Sequence, residues 1–403
     1  MTDSHPTLSP EFLSIVMPCL NEAETLERCI VKAKRGLELA GIDGEVIIAD
    51  NGSNDGSQGI AARCGARVIP VASKGYGSAL LGGIGAAQGQ WILMADSDDS
   101  YDLSDIAKFV GKLKEGYDLV MGCRLPTGGG TIMPGAMPWK NRWIGNPSLS
   151  FLGRFLFRTP ITDFHCGMRA FTKSAIAAMD LQTTGMEFAS EMVMKATLWR
   201  MKIAQVPITL HPDGRNRPPH LRPWRDGWRH LRFMLIYSPR WLFLVPGLAL
   251  FLISGILTLI LYFGTITVNG IHLDSGTLLL CAMGMIAGCQ LVAFAVCTKV
   301  FGIGEGLLPQ DAKFASAFRF FTLEKGLVGG IVLVLAGLAL IADAAFAWGR
   351  VDFGSLSYSE NMRRLVPAAT MSVLGIQVIF TSFFLSVLGL KTTRRTPPES
   401  NPS

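Results

Sequence analysis

Apolar and polar positions alternate in short blocks over the first half of the chain. Phe12–Leu20, Glu45–Ala49, Ala66–Ala72, Trp91–Ala95 and Asp118–Gly122 are brief apolar runs bounded by turn residues, the signature of buried strands. Between them Glu22–Ala40, Gly75–Ala87 and Ser104–Lys114 carry helical spacing. Strand and helix in alternation predict an α/β domain with a mostly parallel sheet covered by helices, in which ligands sit beyond the carboxyl ends of the strands.

After Pro239 the pattern changes. Four long apolar runs, about 241–263, 278–298, 326–346 and 365–390, each approach the roughly 20 residues that cross a bilayer core. Two other stretches have aromatic and basic residues at helical spacing, as in helices that lie in the headgroup layer. One holds Trp224, Trp228, Leu231 and Leu235 with Arg225, Arg229 and Arg232. The other, at about 311–324, holds Phe314, Phe318 and Phe321 with Lys313 and Arg319. The expected organisation is a disordered N-terminus 1–11 without a secretory signal, an α/β domain 12–212 and a basic interfacial segment 213–240. A four-span region 241–390 and a tail 391–403 follow.

Composition supports this division. Of 403 residues 49% are apolar and 17% charged, against about 25% charged in an average soluble chain. Disorder over most of the chain is excluded, and the composition argues against a fully water-soluble protein. The net charge of +6 is local, because Arg215–Arg240 alone holds seven Arg and one Asp. One basic belt in an otherwise neutral chain points to a membrane surface and away from nucleic acid. No Lys or Arg lies in Gly264–Gly276, whereas Lys299, Lys313, Arg319 and Lys325 lie in the next loop and Lys391, Arg394 and Arg395 in the tail. By the positive-inside rule the α/β domain, that next loop and the tail face the cytoplasm, with Arg350, Arg363 and Arg364 dissenting. The eight Cys form no Cys-x-x-Cys pair, which predicts reduced thiols and no structural zinc.

Three polar clusters fall at strand ends. Asn21 in Met17–Glu22 can cap the next helix. In Asp50–Ser57, Gly52 and Gly56 permit tight turns, and a carboxylate at Asp50 can accept from a base N–H or ribose hydroxyls. Asp96-Ser97-Asp98-Asp99 places three carboxylates in four residues, a repulsion that a hard cation such as Mg²⁺ or Mn²⁺ relieves.

The series SIVMPCLNE, IIADNGSNDGS, SKGYGSAL and ADSDDS resembles the GT-A fold glycosyltransferases of family 2. Beyond it MGCR, NRWIGN and DFHCGMRAF resemble that family's polyprenyl-phosphate branch, which includes dolichyl-phosphate mannose synthases; the likeness covers residues 12–240. It implies a Rossmann-like GT-A domain, followed by interfacial helices and membrane spans. It also implies inverting, metal-dependent transfer of a hexose from a UDP-glucose or GDP-mannose type donor to a polyprenyl phosphate, at the cytoplasmic face of the cell (inner) membrane. Carried over by position, Pro18, Asn21, Glu22, Asp50, Asp55, Lys74 and Gly75 would bind the nucleotide. Asp96 and Asp98 would hold Mg²⁺ or Mn²⁺, and Arg124, Arg142, Asn146 and Arg169 would meet the acceptor phosphate or donor diphosphate. Ser100 replaces a Gln that some members carry, which leaves the third protein ligand open. Membrane lipids are expected partners, and a homo-oligomer is left open. The alternatives are a processive polysaccharide synthase, for which Tyr237–Trp241 lacks the Gln of a Gln-x-x-Arg-Trp motif, and a transporter or flippase, for which no Walker A pattern exists.

Overall fold

The computed structural model describes residues 11–215, 223–312, 314, 316, 322–355 and 357–389. The expected disordered segment 1–11 except Glu11, much of the second interfacial segment and the tail 391–403 lie outside them. The chain divides into two compact units, one ending at Met234 and one starting at Leu235, so the first unit runs past the expected boundary at 212.

In the first unit β1 (Leu13–Cys19), β2 (Gly44–Asp50), β3 (Arg67–Pro70), β4 (Trp91–Met94) and β5 (Leu119–Cys123) fall where the apolar runs predict them. Helices α1 (Leu26–Ala40), α3 (Tyr76–Ala86) and α4 (Ile106–Lys114) match the three expected ones, although α1 starts at Leu26 and not at Glu22, with Thr25 and not Asn21 at its N-cap. The short helix α2 (Ser57–Arg63) is an addition. Further along come β6 (Thr131–Ile132), α5 (Asn146–Phe157), β7 (Arg169–Thr172), α6 (Lys173–Met179), α7 (Phe188–Leu198), β8 (Ile203–Pro207), β9 (Thr209–Leu210) and α8 (Pro223–Ile236).

The seven-stranded sheet has the order β3-β2-β1-β4-β7-β5-β8. β7 is antiparallel to both β4 and β5, and the other pairings are parallel. Pairing of β1 with β4 stops at Val16, two residues before Pro18, which has no N–H for the ladder. The strands then part and their loops open into a cleft, as expected where neighbouring strands of a doubly wound sheet diverge. Leu13, Ile15 and Met17 of β1 and Leu26, Ile30 and Ala33 of α1 belong to one buried core on one side of the sheet.

The second unit contains helices α9 (Val245–Phe263), α10 (Ser275–Gly304), α11 (Leu323–Gly349) and α12 (Tyr358–Gly389), with a hairpin of β10 (Ile266–Val268) and β11 (Ile271–Leu273) between the first two. With a π-helical turn from Arg240 leading into α9, the four helical segments are long and apolar enough to cross a membrane. Small residues bring their backbones together. A Cβ on Gly330 would lie 2.8 Å from Gly375 O, and one on Gly288 2.7 Å from Gly247 O, the close approach typical of helices packed in lipid. α12 starts earlier than the expected span and takes in Arg363 and Arg364. Arg363 pairs with Asp274 at 2.9 Å and Arg364 with Asp343 at 3.6 Å, so two of the three dissenting cations have acidic partners.

Candidate active site

Three loops at the carboxyl ends of β1, β2 and β4 are stitched into one wall. Asn21, at φ +58°, accepts from Asn54 N through Oδ1 at 2.8 Å, and its own N–H donates to Ser53 Oγ. Asp55 accepts from Ser57 N and Oγ at the start of α2, while its other oxygen accepts from Ala23 N at 2.9 Å. Ser97 Oγ donates to Pro18 O at 2.7 Å, and Thr25 Oγ1 donates to Ser97 O at 2.7 Å. Lys74 Nζ reaches Asn51 O at 2.6 Å and Gly75 N donates to Asn51 Oδ1 at 2.8 Å, which ties the loop after β3 to the loop after β2. Gly75 is required there: its φ is +131°, and a Cβ would strike Thr184 O. Asn21, Glu22, Asn54, Asp55 and Arg215 line an open cleft of ≈ 410 Å³. A second cavity of ≈ 460 Å³, lined by Lys34, Leu37, Gly41 and Gly44, lies at the opposite, amino-terminal end of β2.

The residues expected to bind the nucleotide differ in what they contact. Asp50 is buried, and its carboxylate accepts from Gly52 N, Ser53 N and Gln58 Nε2, the last at 2.7 Å. It shapes the second loop from within. The expected contact with a base competes with those bonds.

The acidic loop separates its three carboxylates. Asp96 accepts from the Tyr76 hydroxyl at 2.8 Å. Desolvation, and then the neighbouring Asp98 carboxylate, push its pKa up to about 6. Asp98 Oδ1 accepts from Ser100 N and Oγ, so Ser100 supports Asp98. Asp99, at φ +65°, turns to α1 and pairs with Lys32 at 2.7 Å and Arg28 at 3.6 Å. Relief of the carboxylate repulsion thus comes partly from lysine and arginine of the chain itself. Asp96 and Asp98 remain as hard oxygen donors. Gly167 leaves room beside them, since a Cβ there would run into Asp96 Oδ2. Among the described residues no group of three His, Cys, Asp or Glu forms a metal cage. Two carboxylates, one of them reached by Arg215 of the cleft lining, fit a hard ion that takes its remaining ligands from a diphosphate and water.

The four expected phosphate-binding residues separate into two pairs. Arg169 is fully buried, and its guanidinium donates to the backbone carbonyls of Cys166, Ala189 and Phe164. Burial lowers its pKa. Arg169 therefore presents no free fork to phosphate in this arrangement, and its guanidinium ties the loop between α5 and β7 to α7. Arg124 is likewise buried, with Nε and Nη2 on the Asp163 carboxylate at 2.8 and 2.9 Å. The bidentate fork that suits a phosphate is taken here by a protein carboxylate. Arg142 and Asn146 are half-buried and one helical turn apart, in a π-helical turn (Asn141–Gly145) running into α5. The Arg142 guanidinium lies 5.4 Å from the Trp143 ring centroid, and Asn146 Nδ2 donates to Met137 Sδ. Around them Trp139, Trp143, Ile144, Phe151 and Phe155 are exposed.

Two features were not read from sequence. Arg215, counted there only in the basic belt, contacts Glu22, Asp98 and Asp213. Asp213-Gly214, a turn-type dipeptide beside an Arg in the chain, was the available signal. In α8 the stripe Asp226, His230 and Met234 is buried, while Trp224 and Trp228 of the expected lipid face are exposed. Ser190 Oγ bridges His230 Nδ1 at 2.8 Å and His165 Nε2 at 3.3 Å. Burial, the largest cause, brings His230 down to about 4 and His165 well below the usual histidine range.

The sequence relationships agree with this architecture. Residues 14–179 match the model of glycosyl transferase family 2, and residues 296–389 match the C-terminal transmembrane region of that family. The low-salt glycan biosynthesis hexosyltransferase Agl6 of Haloferax volcanii is 38% identical over 94% of this chain and 89% of its own length. A dolichyl-phosphate hexose transferase of the same organism is 32% identical over 49% of this chain and 81% of its own. A Mycobacterium tuberculosis glucosyl-3-phosphoglycerate synthase crystallised with Mn²⁺ and UDP superposes with a TM-score of 0.44 at 22% identity, over 58% of this chain and 84% of that one. With a wall of loops at the carboxyl edge of a mostly parallel sheet, four helices of membrane-crossing length and a relative matched nearly end to end, the chain is a membrane protein and a glycosyltransferase belonging to family 2.

Proposed function

We propose that this glycosyltransferase moves a hexose, with inversion, from a UDP-glucose or GDP-mannose type donor to the phosphate of a polyprenyl lipid at the cytoplasmic face of the cell membrane. The observation that carries the reading is the pair Asp96 and Asp98, with Asp98 joined through Arg215 to the cleft of Asn21, Glu22 and Asp55, in a chain with four helices of membrane-crossing length. The names of the two Haloferax relatives, a hexosyltransferase and a dolichyl-phosphate hexose transferase, support the sugar and acceptor classes.

In this reading Pro18, Asn21, Glu22, Asp55, Lys74 and Gly75 shape the nucleotide site, with Asp50 holding its second loop. Asp96 and Asp98 would hold Mg²⁺ or Mn²⁺, which supplies charge neutralisation at the departing nucleoside diphosphate. Tyr76 orients Asp96, and Ser100 orients Asp98. Arg142 and Asn146 bind the acceptor phosphate, and the exposed Trp139, Trp143, Ile144 and Phe151 suit the start of an isoprenoid chain. Arg124 and Arg169 brace the loops behind them. A phosphate monoester is already ionised near pH 7, so the acceptor oxygen attacks without a dedicated general base.

The test is to incubate membranes containing the protein with nucleotide sugars and polyprenyl phosphate, and to identify the lipid product by mass. Transfer should stop with a chelator and return with Mg²⁺ or Mn²⁺. Asp98→Ala should cost at least about 100-fold, because metal stabilisation of a leaving group amounts to several kcal/mol. Full activity in excess chelator removes the metal from the account.

A further inference from the structure

Arg215 is placed with care by its surroundings. Nη2 lies 3.1 Å from Asp98 Oδ2 and 2.9 Å from Asp213 Oδ2, and Nη1 lies 3.2 Å from Glu22 Oε1. The side chain is only 10% exposed, and Nε is buried without a hydrogen-bond partner among the described residues. The segment that carries it is clipped to the acidic loop at two points, His211 N to Ser100 O at 2.9 Å and Gly214 N to Asp98 O at 3.0 Å. Gly214 allows the close fit, because a Cβ there would meet Arg28 and Thr25 side chains at 2.5 and 3.0 Å. One guanidinium therefore joins Glu22, a wall residue of the nucleotide cleft, to Asp98, a carboxylate of the proposed ion site.

The chemistry of that contact forces a choice. The other Asp98 oxygen is already engaged by Ser100, so Oδ2 is the one that an ion would take. A guanidinium and a divalent cation on the same carboxylate oxygen repel each other strongly at such separations. The ion and the Arg215–Asp98 contact are mutually exclusive. A guanidinium that leaves Asp98 but stays clipped beside the cleft needs a new anion, and a diphosphate fits its planar fork.

We propose that Arg215 is an exchange residue, which gives up Asp98 to the divalent ion and turns to the nucleoside diphosphate, so that ion and nucleotide bind cooperatively. The inference rests on the metal-dependent reading above. Arg215 lowers the affinity of Asp98 for an ion alone and raises it for an ion that arrives with a diphosphate. Free energy of coupling between two ligands is reciprocal, so nucleotide affinity depends on the ion by the same factor. Asp213 keeps the guanidinium near both positions.

The measurement is Mn²⁺ binding by paramagnetic resonance to the full chain in detergent, with and without UDP or GDP. In the unsubstituted protein UDP or GDP should tighten Mn²⁺ binding by a factor within the usual range of about 5–150. Arg215→Met should tighten binding of Mn²⁺ alone about ten-fold and reduce the nucleotide-induced gain about ten-fold, consistent with loss of one charge-assisted contact. Arg215→Lys keeps the charge without the fork. It should leave Mn²⁺ alone near the unsubstituted value and still lose most of the gain, and it serves if the Met variant misfolds by thermal unfolding. A nucleotide-induced gain retained in both variants, or weaker binding of Mn²⁺ alone to Arg215→Met, overturns the exchange while the metal site stands. No Mn²⁺ binding by the unsubstituted chain under either condition overturns the metal site and the exchange with it.

Discussion

Three backbone carbonyls accept from the guanidinium of Arg169, and that arrangement decides what a substitution there does. Arg169→Met leaves buried acceptors without donors, at a cost of about 1–3 kcal/mol for each one left unsatisfied. The variant should unfold at a clearly lower temperature, while its folded fraction binds nucleotide normally. A wild-type melting temperature with slow transfer would return Arg169 to the reacting groups. Arg142, half-buried and without an ion-pair partner among the described residues, should behave in the opposite way. Arg142→Ala should leave thermal stability and nucleotide affinity unchanged and slow transfer by about 10- to 100-fold, as loss of a charge-assisted bond of about 1.5–3 kcal/mol implies. Arg142→Lys should rescue poorly, because a point charge does not reproduce the fork. Calorimetry beside the transfer rate tests both, and equal losses of affinity and turnover would move Arg142 to the donor side. In the sequence these two arginines look alike. The difference lies in whether a neighbouring loop and helix supply acceptors, and only the folded chain brings Ala189 of α7 and Phe164 of the loop before β7 to Arg169.

Helix α8 is held at the level of an element by a polar seam. Ser190 joins His230 of α8 to His165 of the loop before β7, and the two imidazole centroids are 4.6 Å apart. Burial opposes the charged form of His230 and, reinforced by Arg169, outweighs Glu187 and Asp226, which favour it. Its folded pKa of about 4 lies below the unfolded value of about 6.5. The unfolded state therefore binds more protons between those values, and stability is complete above pH 6.5 and falls as pH drops toward 4. His165 shifts in the same direction. From pH 7 to pH 5, His230 alone should remove roughly 2 kcal/mol. Denaturant unfolding at the two pH values, compared with His230→Gln, measures this. Equal slopes in the two proteins would show that the seam does not set the acid stability. The aromatic and basic spacing of α8 was legible in the sequence, but its buried Asp226–His230 stripe was not, since a histidine at helical spacing carries no mark of its partner.

At the scale of the whole molecule the distribution of charge orients the four spans. We expect the α/β unit to face the cytoplasm and Gly264–Gly276, which lacks Lys and Arg, to face the other side. Arg350, Arg363 and Arg364 dissent from this orientation, and of these Arg363 and Arg364 pair with Asp274 and Asp343. An impermeant thiol reagent should label Cys64 only from the cytoplasmic side. A cysteine introduced in the 264–276 loop should be labelled only from the opposite side. Labelling of that loop from the cytoplasm would overturn the four-span arrangement.

The strand ends of β1, β2 and β4, the acidic loop and the four long apolar helices were determined by local pattern. Hydrophobic period, glycine and proline positions and run length are properties of neighbours in the chain. The antiparallel β7 between β4 and β5 was not, because its four residues Arg169–Thr172 have no period of their own and are fixed by pairing with strands far away in sequence. The same reason governs the site. Sequence named Asp96 and Asp98, but tertiary structure decided that Asp99 turns to Lys32, that Ser100 supports Asp98 and that Arg124 meets Asp163. It also brought Arg215 across the fold to Asp98, a contact 117 residues long in the chain, which no local spacing encodes.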